Sequence, residues 1–305
     1  MSGSRLLILV LNDMSEDWIR STVSRLNNQI RIKMKNKSKE LEVAIKAALE
    51  AGKILEKYFE TEIMKSLKED KSIVTLADKE SEEVIKKIIF DAFPTHSILG
   101  EETGMNGAKS DYVWHVDPVD GTRNFANGIP LFAVSIALVH QDKIMVGVVY
   151  NPSTRSLFYA ELGKGAYFND KKIFVSKDDK DHCIVTASPG NQDDQEVKKE
   201  LILNLYHDLP KIIRSVRNFG CTAIELAFIS RGGLEANIQL GLNTYDFAAG
   251  ALLVLEAGGK ITKLDGSPWA FPENKFIVSN GVFHDLLVGE VQSQIKKLKA
   301  ESYNL

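Results

Sequence analysis

Residues 114–130 read WHVDPVDGTRNFANGIP, and they place Asp117 and Asp120 three positions apart where an apolar run ends. That run predicts a β-strand. Two carboxylates so close repel each other unless a cation lies between them, and Mg²⁺ takes hard oxygen ligands that it shares with substrate phosphate. Pro118 fixes the bend and leaves the Val119 carbonyl available as a third ligand. The stretch therefore predicts a Mg²⁺ site at the end of a strand.

Gly121 and Thr122 directly follow the two aspartates and supply groups that suit a phosphate. If a short helix begins here, its free amides and the positive end of its dipole favour a phosphate oxygen. The Thr122 hydroxyl could then hold a water molecule. The Asp120-Gly121 pair alone is also typical of turns and helix caps, so it indicates a phosphate site only if further ligands lie nearby.

Two further acidic residues lie where an apolar element begins or ends. Glu101 directly follows one predicted strand, and Asp246 opens a predicted helix. If the strand before Glu101 lies beside the strand before Asp117, the two strand ends bring Glu101, Asp117 and Asp120 to one edge of a sheet. No His or Cys residues with ligand spacing lie nearby, which argues against zinc.

The rest of the chain predicts two helices, then a mostly antiparallel sheet, then alternating strands and helices. This order predicts an α+β or α/β layered sandwich with two halves, residues 39–183 and residues 184–305, after an N-terminal extension of unknown role, residues 1–38. The predicted helices are residues 41–59, 78–93, 196–209, 223–230, 246–257 and a last helix to about 299, and the predicted strands are residues 97–99, 112–116, 134–139, 144–150, 157–160, 184–187, 212–216, 260–264 and 276–278.

The composition of the 305-residue chain is ordinary for a globular protein, and its net charge of −3 gives no global basic field. Nucleic acid or an anionic membrane is therefore disfavoured as the main partner. The apolar run at residues 6–11 is too short for a bilayer, which needs about 20 residues. One hypothesis is that translation begins at Met34. Cys183 and Cys221 have no ligand spacing, and we interpret them as small buried hydrophobes in a reducing cytoplasm.

Several motifs, in order along the chain, carry a resemblance to a known family. They are VTLAD at 74–78, GEE at 100–102, DPVDGT at 117–122 followed by NF, YDFAAG at 245–250 and LEAGG at 255–259, with Trp114 three positions before the first aspartate of DPVDGT. Over about residues 39–300 the chain resembles the inositol monophosphatase family, whose members are Mg²⁺-dependent, Li⁺-sensitive and often dimeric phosphomonoesterases. The resemblance implies a layered α-β-α-β-α sandwich, as in fructose-1,6-bisphosphatase, and a homodimer that acts on a small phosphate ester.

The resemblance also implies which residues bind metal. The positions of the family's ligands are occupied here by Glu101, Asp117, the Val119 carbonyl, Asp120 and Asp246. They imply two Mg²⁺ ions bridged by Asp117. A third ion is implied only if Asp70 replaces an aspartate that the family often has just before the VTLAD motif.

For catalysis, the resemblance implies that Glu101 and Thr122 orient the attacking water, with Thr122 hydrogen-bonded to Asp78, and that no covalent phosphoenzyme forms. The implied substrate contacts are the Gly121 and Thr122 amides, Asp120 and Gln239. Many inositol phosphatases have Glu where this chain has Gln239, so the resemblance leaves the preferred substrate open.

Inositol 1-phosphate is the first candidate substrate. Fructose 1,6-bisphosphate, histidinol phosphate and 3′(2′),5′-bisphosphate nucleotides are the alternatives within the superfamily, and Lys211, Arg214 or Arg217 could bind a second phosphate. An aspartyl-phosphate phosphatase is disfavoured, because its two aspartates lie two positions apart rather than three. A metal-dependent binding protein without turnover is the third hypothesis, disfavoured because all the carboxylates and Thr122 are present.

Overall fold

The computed structural model describes residues 37–59, 65–67, 73–190 and 195–302. Within these ranges two large sheets alternate with three layers of helices, and each interface between layers is an apolar core. The α-β-α-β-α sandwich implied by the resemblance is confirmed. Asp70, Met34 and the apolar run at residues 6–11 lie outside the described residues.

The elements are named here in chain order. Those up to residue 173 are α1 (Lys39–Tyr58), β1 (Lys65–Leu67), β2 (Ile73–Thr75), α2 (Leu76–Ala92), β3 (Ser97–Gly100), β4 (Gly104–Gly107), β5 (Tyr112–Asp120), α3 (Thr122–Ala126), β6 (Ala133–His140), β7 (Lys143–Asn151), β8 (Ser156–Glu161), β9 (Gly165–Phe168) and β10 (Lys171–Ile173). Those from residue 184 are β11 (Ile184–Ser188), α4 (Gln195–Asp208), a 3₁₀ turn (Leu209–Lys211), β12 (Ser215–Arg217), α5 (Thr222–Ser230), β13 (Ala236–Leu240), α6 (Thr244–Glu256), β14 (Lys260–Lys263), β15 (Lys275–Ser279) and α7 (His284–Ser302).

The first large sheet has the strand order β10-β9-β8-β7-β6-β5-β3-β4. β3 and β5 run parallel, with Gly100 opposite Val116, while the other neighbours in this sheet are antiparallel. The two strands whose ends carry Glu101 and Asp117 are therefore adjacent, as the proposed ligand set requires. The second sheet has the order β12-β11-β13-β15-β14.

Helix α6 lies in the middle layer, between the two sheets, and most of its side chains are buried. It can lie close to its neighbours because glycines face it and occur within it. A Cβ atom on Gly147 of β7 would lie 2.7 Å from the Ala249 carbonyl oxygen, and one on Gly250 would lie 2.6 Å from Leu226 Cβ. This close packing fixes the first turn of α6, which carries Asp246, against the first sheet.

Several features of the fold differ from the sequence-based expectations. Strand β13 was missed, because its Asn237 and Gln239 are polar although the whole strand is buried. The strand predicted at residues 212–216 is confined to β12, since the chain before it turns in the 3₁₀ segment. The strand predicted at residues 112–116 continues to Asp120, and the helix expected from Asp246 begins two residues earlier. No helix in the described ranges is long and apolar enough to cross a membrane.

Candidate active site

A bulge at the end of β5 places Asp117 and Asp120. Asp117 lies opposite Ser135 and Asp120 opposite Ala133, so three steps along β5 match two along β6. Such an extra residue bends a strand and re-aims its side chains. Asp117 is buried, and its Oδ1 accepts the Val119 amide at 2.9 Å, across Pro118. The DPVD sequence therefore forms a tight bend inside the sheet rather than a loop after it.

Asp120 is bound from the second half of the chain. Its Oδ2 accepts the Ala223 amide at 2.5 Å and the Cys221 thiol at 3.2 Å, both at the start of α5. Gly121 makes this approach possible, because its φ is +85° and a Cβ there would lie 2.9 Å from the Leu131 carbonyl oxygen and 3.0 Å from Cys221 Cβ. The interpretation of Cys221 as a mere buried hydrophobe is therefore incomplete.

Glu101 directly follows β3, and its amide donates to the Val116 carbonyl of β5 at 3.0 Å. The buried carboxylate of Glu82 on α2 holds the same loop, accepting the Glu102 amide at 2.8 Å and the Thr103 hydroxyl. Gly100 leaves room for that carboxylate, since a Cβ there would overlap it. The GEE motif is thus fixed from two sides.

Asp246 lies in the first turn of α6. Its Oδ2 accepts the amide of Asn243, the residue before the helix, at 2.9 Å. The first turn is also held to the first sheet, because Ser135 Oγ donates to the Tyr245 carbonyl at 2.9 Å. Asp246 is buried at the interface between the two halves of the chain.

Thr122 and Asp78 are in contact, as the resemblance implies. Thr122 Oγ1 lies 3.3 Å from Asp78 Oδ1 and 3.0 Å from the Val119 carbonyl oxygen. Asp78 is fully buried in the first turn of α2. The hydroxyl is therefore held between two acceptors at the start of the short helix α3.

The carboxylates influence one another strongly. Burial, followed by the charges of Glu101, Asp120 and Asp246, raises the pKa of Asp117 well above its ordinary range. Burial and the charges of Asp120 and Glu101 likewise raise the pKa of Asp246. Burial raises the pKa of Asp120 to about 6, although the Ala223 amide and the Cys221 thiol act in the opposite direction. A site with this charge distribution favours a bound cation.

The donor set fits a hard divalent cation. Within the described residues, no group of three or more His, Cys, Asp or Glu side chains is arranged so that it could hold a metal ion by itself. Mg²⁺ does not need one, because it retains several waters and binds through one or two carboxylates together with substrate phosphate. The converging carboxylates and the Val119 carbonyl are oxygen donors, which Mg²⁺ prefers over the softer ligands typical of zinc.

Gln239 lies on the buried strand β13, where its Nε2 donates to Thr222 Oγ1 at 3.3 Å and its Oε1 has no protein partner. Two of the basic residues considered for a second phosphate make contacts elsewhere. Lys211 pairs with Asp208 at 2.7 Å, and Arg217 Nη1 donates to its neighbouring Val216 carbonyl.

Sequence reasoning missed two residues that fix the chain around this site, of which Asn124 joins the two halves. Asn124 Nδ2 donates to the Leu131 and Phe219 carbonyls, both at 2.7 Å, and so ties α3 to the loop before α5. Glu225 on α5 is buried and accepts the Phe219 amide at 2.8 Å. The NF that follows DPVDGT was a signal for Asn124, but no local pattern marked Glu225.

The comparisons with known proteins identify the family of this chain. The model of the inositol monophosphatase family matches residues 36–296. The chain is 35% identical over 258 residues to the fructose-1,6-bisphosphatase/inositol-1-monophosphatase of Aquifex aeolicus, covering 84% of this chain and 96% of that one. It is 33% identical to the Nus factor SuhB of Pseudomonas aeruginosa, with 84% and 96% covered.

Solved structures give the same result. The extragenic suppressor protein suhB from Bartonella henselae superposes with a TM-score of 0.77 at 34% identity, covering 83% of this chain and 98% of that one. The IMPase of Thermotoga maritima also gives a TM-score of 0.77, at 30% identity, with 85% and 99% covered. Fold and sequence agree, and the chain belongs to the inositol monophosphatase family of phosphoric monoester hydrolases.

Proposed function

We propose that this protein hydrolyses a small phosphate monoester with Mg²⁺, and that inositol 1-phosphate is its preferred substrate. The observation that carries the proposal is the meeting of Glu101, Asp117, Asp120 and Asp246 from both halves of the chain, with the pKa values of Asp117 and Asp246 raised well above their ordinary range. Such a cluster is unfavourable for folding alone, which supports a role in binding cations.

The residues that would hold two Mg²⁺ ions are Glu101, Asp117, the Val119 carbonyl, Asp120 and Asp246, and a third ion would depend on Asp70. When bound, Mg²⁺ supplies charge neutralisation, a water of lowered pKa and stabilisation of the developing negative charge. The close approach of the first turn of α6 to β5 and β6 supports a site shared between the halves at residues 39–183 and 184–305.

Thr122 and Asp78 have a separate task in this proposal. The Thr122 hydroxyl carries one proton, which it can donate to Asp78 Oδ1 or to the Val119 carbonyl oxygen. Donation to either acceptor leaves the Oγ1 lone pairs free to accept from a water, which is then oriented with its own lone pair toward phosphorus. The Gly121 and Thr122 amides would bind the phosphate oxygens.

Two observations bear on a single-phosphate polyol ester as the substrate. Gln239 Oε1 has no protein partner but is fully buried, so a substrate hydroxyl would reach it only if Gln239 became exposed on binding. Lys211 and Arg217 already make contacts of their own, which weakens the case for a bisphosphate. Histidinol phosphate remains an alternative monoester within the superfamily.

The experiment is a panel of phosphate esters assayed by phosphate release. It contains inositol 1-phosphate, fructose 1,6-bisphosphate, histidinol phosphate and a 3′,5′-bisphosphate nucleotide, each with and without Mg²⁺ and with added Li⁺. We expect Mg²⁺-dependent, Li⁺-sensitive release that is fastest for inositol 1-phosphate. Release from no ester by folded, Mg²⁺-saturated protein would instead support a metal-dependent binding protein without turnover.

We also propose a cytoplasmic homodimer, on the basis of the family resemblance. Light scattering coupled to size-exclusion chromatography tests the oligomeric state. A mass near 33.9 kDa, that of one chain, would contradict the dimer.

A further inference from the structure

A partly buried His–Thr contact lies beside the candidate metal site without being part of the proposed ligand set. His115 Nδ1 on β5 and Thr244 Oγ1 on α6 are 2.7 Å apart and share a hydrogen bond. His115 is only 7% exposed, and its ring meets Phe271 edge-on at 5.4 Å. The contact joins the two elements that carry Asp117 and Asp246.

Each partner of the contact lies two residues before a proposed ligand. His115 and Asp117 are at alternate positions of one strand, before the bulge, and so share a face of the sheet. Thr244 begins α6, and Asp246 lies in the same helical turn. A displacement of the helix start relative to β5 would therefore move Asp246 relative to Asp117 by a similar amount.

An apolar pair at this interface would pack but would leave the helix able to slide or rotate slightly. A hydrogen bond adds direction, since it weakens steeply when the distance or angle changes. The pair is partly buried, with the imidazole against the Phe271 ring, and each member needs its partner because a buried polar group without a hydrogen bond is unfavourable. The interface is thus better defined with this pair than with two apolar side chains.

We propose that the His115–Thr244 hydrogen bond is a positioning contact that sets the separation of Asp117 and Asp246, and so the affinity of the site for divalent cations. The proposal rests on the proposed function, because it assumes that these aspartates bind the ions. The proposal gives neither His115 nor Thr244 a contact with the substrate. Together they hold α6 against β5 in the arrangement that two ligands from different halves require.

The test compares Thr244→Val, which removes the hydroxyl, with Thr244→Ser, which keeps it. Mg²⁺ binding is measured by isothermal titration calorimetry, alongside the rise in melting temperature that Mg²⁺ produces. Losing a contact that orients a metal ligand typically weakens metal binding about 10–100-fold. We expect a loss of about 10-fold for T244V, and T244S within about twofold of the unaltered protein. At saturating Mg²⁺, KM should be unchanged.

The chain contains a matched control of the same chemistry. Thr262 Oγ1 shares a buried hydrogen bond with His284 Nε2 at 2.8 Å, between β14 and the start of α7 in the second half. Thr262→Val removes an equivalent Thr–His bond and should lower stability without changing Mg²⁺ affinity. If T262V weakens Mg²⁺ binding as much as T244V, the effect is one of general stability and the positioning role is wrong.

Two outcomes separate this inference from the proposed function. If the unaltered protein neither binds Mg²⁺ nor releases phosphate, the proposed function fails and the positioning role fails with it. If the unaltered protein binds Mg²⁺ but T244V binds it equally well, only the positioning role is overturned. Should T244V not fold, Thr244→Ala removes the same hydroxyl with a smaller side chain and is held to the same criterion.

Discussion

Replacing Asp120 by Asn should stabilise the metal-free protein while destroying its response to Mg²⁺. Asp120 is partly buried beside Glu101, and burial raises its pKa from the ordinary 3.8 to about 6. The folded state therefore binds this proton more tightly than the unfolded state. The resulting stability is fully present below pH 3.8 and is lost as pH rises through about 6.

The size of the effect follows from that difference. A gap of about two pKa units corresponds to about 3 kcal/mol, and the remaining contact of Asp120 with solvent reduces this to about 2–3 kcal/mol. Asn resembles the protonated carboxyl and can still accept the Ala223 amide. At pH 7.5 in a chelator, D120N should therefore be about 2–3 kcal/mol more stable than the unaltered protein, or melt about 4–6 °C higher.

Urea unfolding and thermal melting measure this at pH 7.5 and pH 4, with EDTA or with Mg²⁺. The advantage of D120N should shrink towards zero near pH 4, and added Mg²⁺ should raise the melting temperature of the unaltered protein but not that of D120N. Asp91→Asn is the control, because Asp91 is exposed and forms only a surface pair with Lys87. If D120N is no more stable in EDTA at pH 7.5, the proposed cost of burying the Asp120 charge is wrong.

Three further changes test the same site. Thr122→Val should lower kcat about 100-fold or more with little change in Mg²⁺ affinity, because it removes the hydroxyl beside Asp78. Thr122→Ser keeps the hydroxyl and should restore kcat. A Val variant with the kcat of the unaltered protein would exclude a role of Thr122 in orienting water. Burial raises the pKa of Glu225 to about 7, so the stability that its bound proton contributes is lost as pH rises through that value. Glu225→Gln should therefore flatten the decline of metal-free stability between about pH 5 and pH 8. Urea unfolding across this range is the measurement, and an unchanged slope would contradict the prediction. Gly121→Ala should lower the melting temperature and abolish phosphate release, since the φ of Gly121 is +85° and the added Cβ would lie 2.9 Å from the Leu131 carbonyl oxygen. An unchanged melting temperature would contradict this prediction and show that the loop moves aside.

The sequence predicted the parts of the site that depend on local order. Glu101 and Asp117 each follow an apolar run, and parallel pairing of β3 with β5 brings them together as expected. Asp246 lies in the first turn of its helix because Asn243 precedes it and bonds its carboxylate. Predicting these features requires only the positions of the strand ends, the position of the helix start and the assumption that the two strands are neighbours.

Other parts could not be predicted from local patterns. Cys221 and Ala223 reach Asp120 across about a hundred residues, and no periodicity encodes that contact. Strand β13 was missed because Asn237 and Gln239 are buried polar residues, while the usual sign of a buried strand is a continuous apolar run. Their burial depends on partners on α5, such as Thr222, which only the folded chain brings near.

The extension of β5 through Pro118 has a similar origin. A proline normally argues against the interior of a strand, so the strand was expected to stop before it. The bulge between Asp117 and Asp120 absorbs the missing amide and lets pairing with β6 resume at Ala133. The bulge that made the end of β5 hard to predict also sets the directions of the Asp117 and Asp120 side chains.

The most direct test of the proposed chemistry is phosphate release from inositol 1-phosphate by the purified protein as Mg²⁺ is titrated into a metal-free solution. Release should be absent in chelator, should rise to saturation with Mg²⁺, and should fall by about 10²–10³ or more in Asp117→Asn. Turnover that persists in chelator, or near-normal turnover by Asp117→Asn, would contradict a Mg²⁺ site built on the carboxylates at the end of β5.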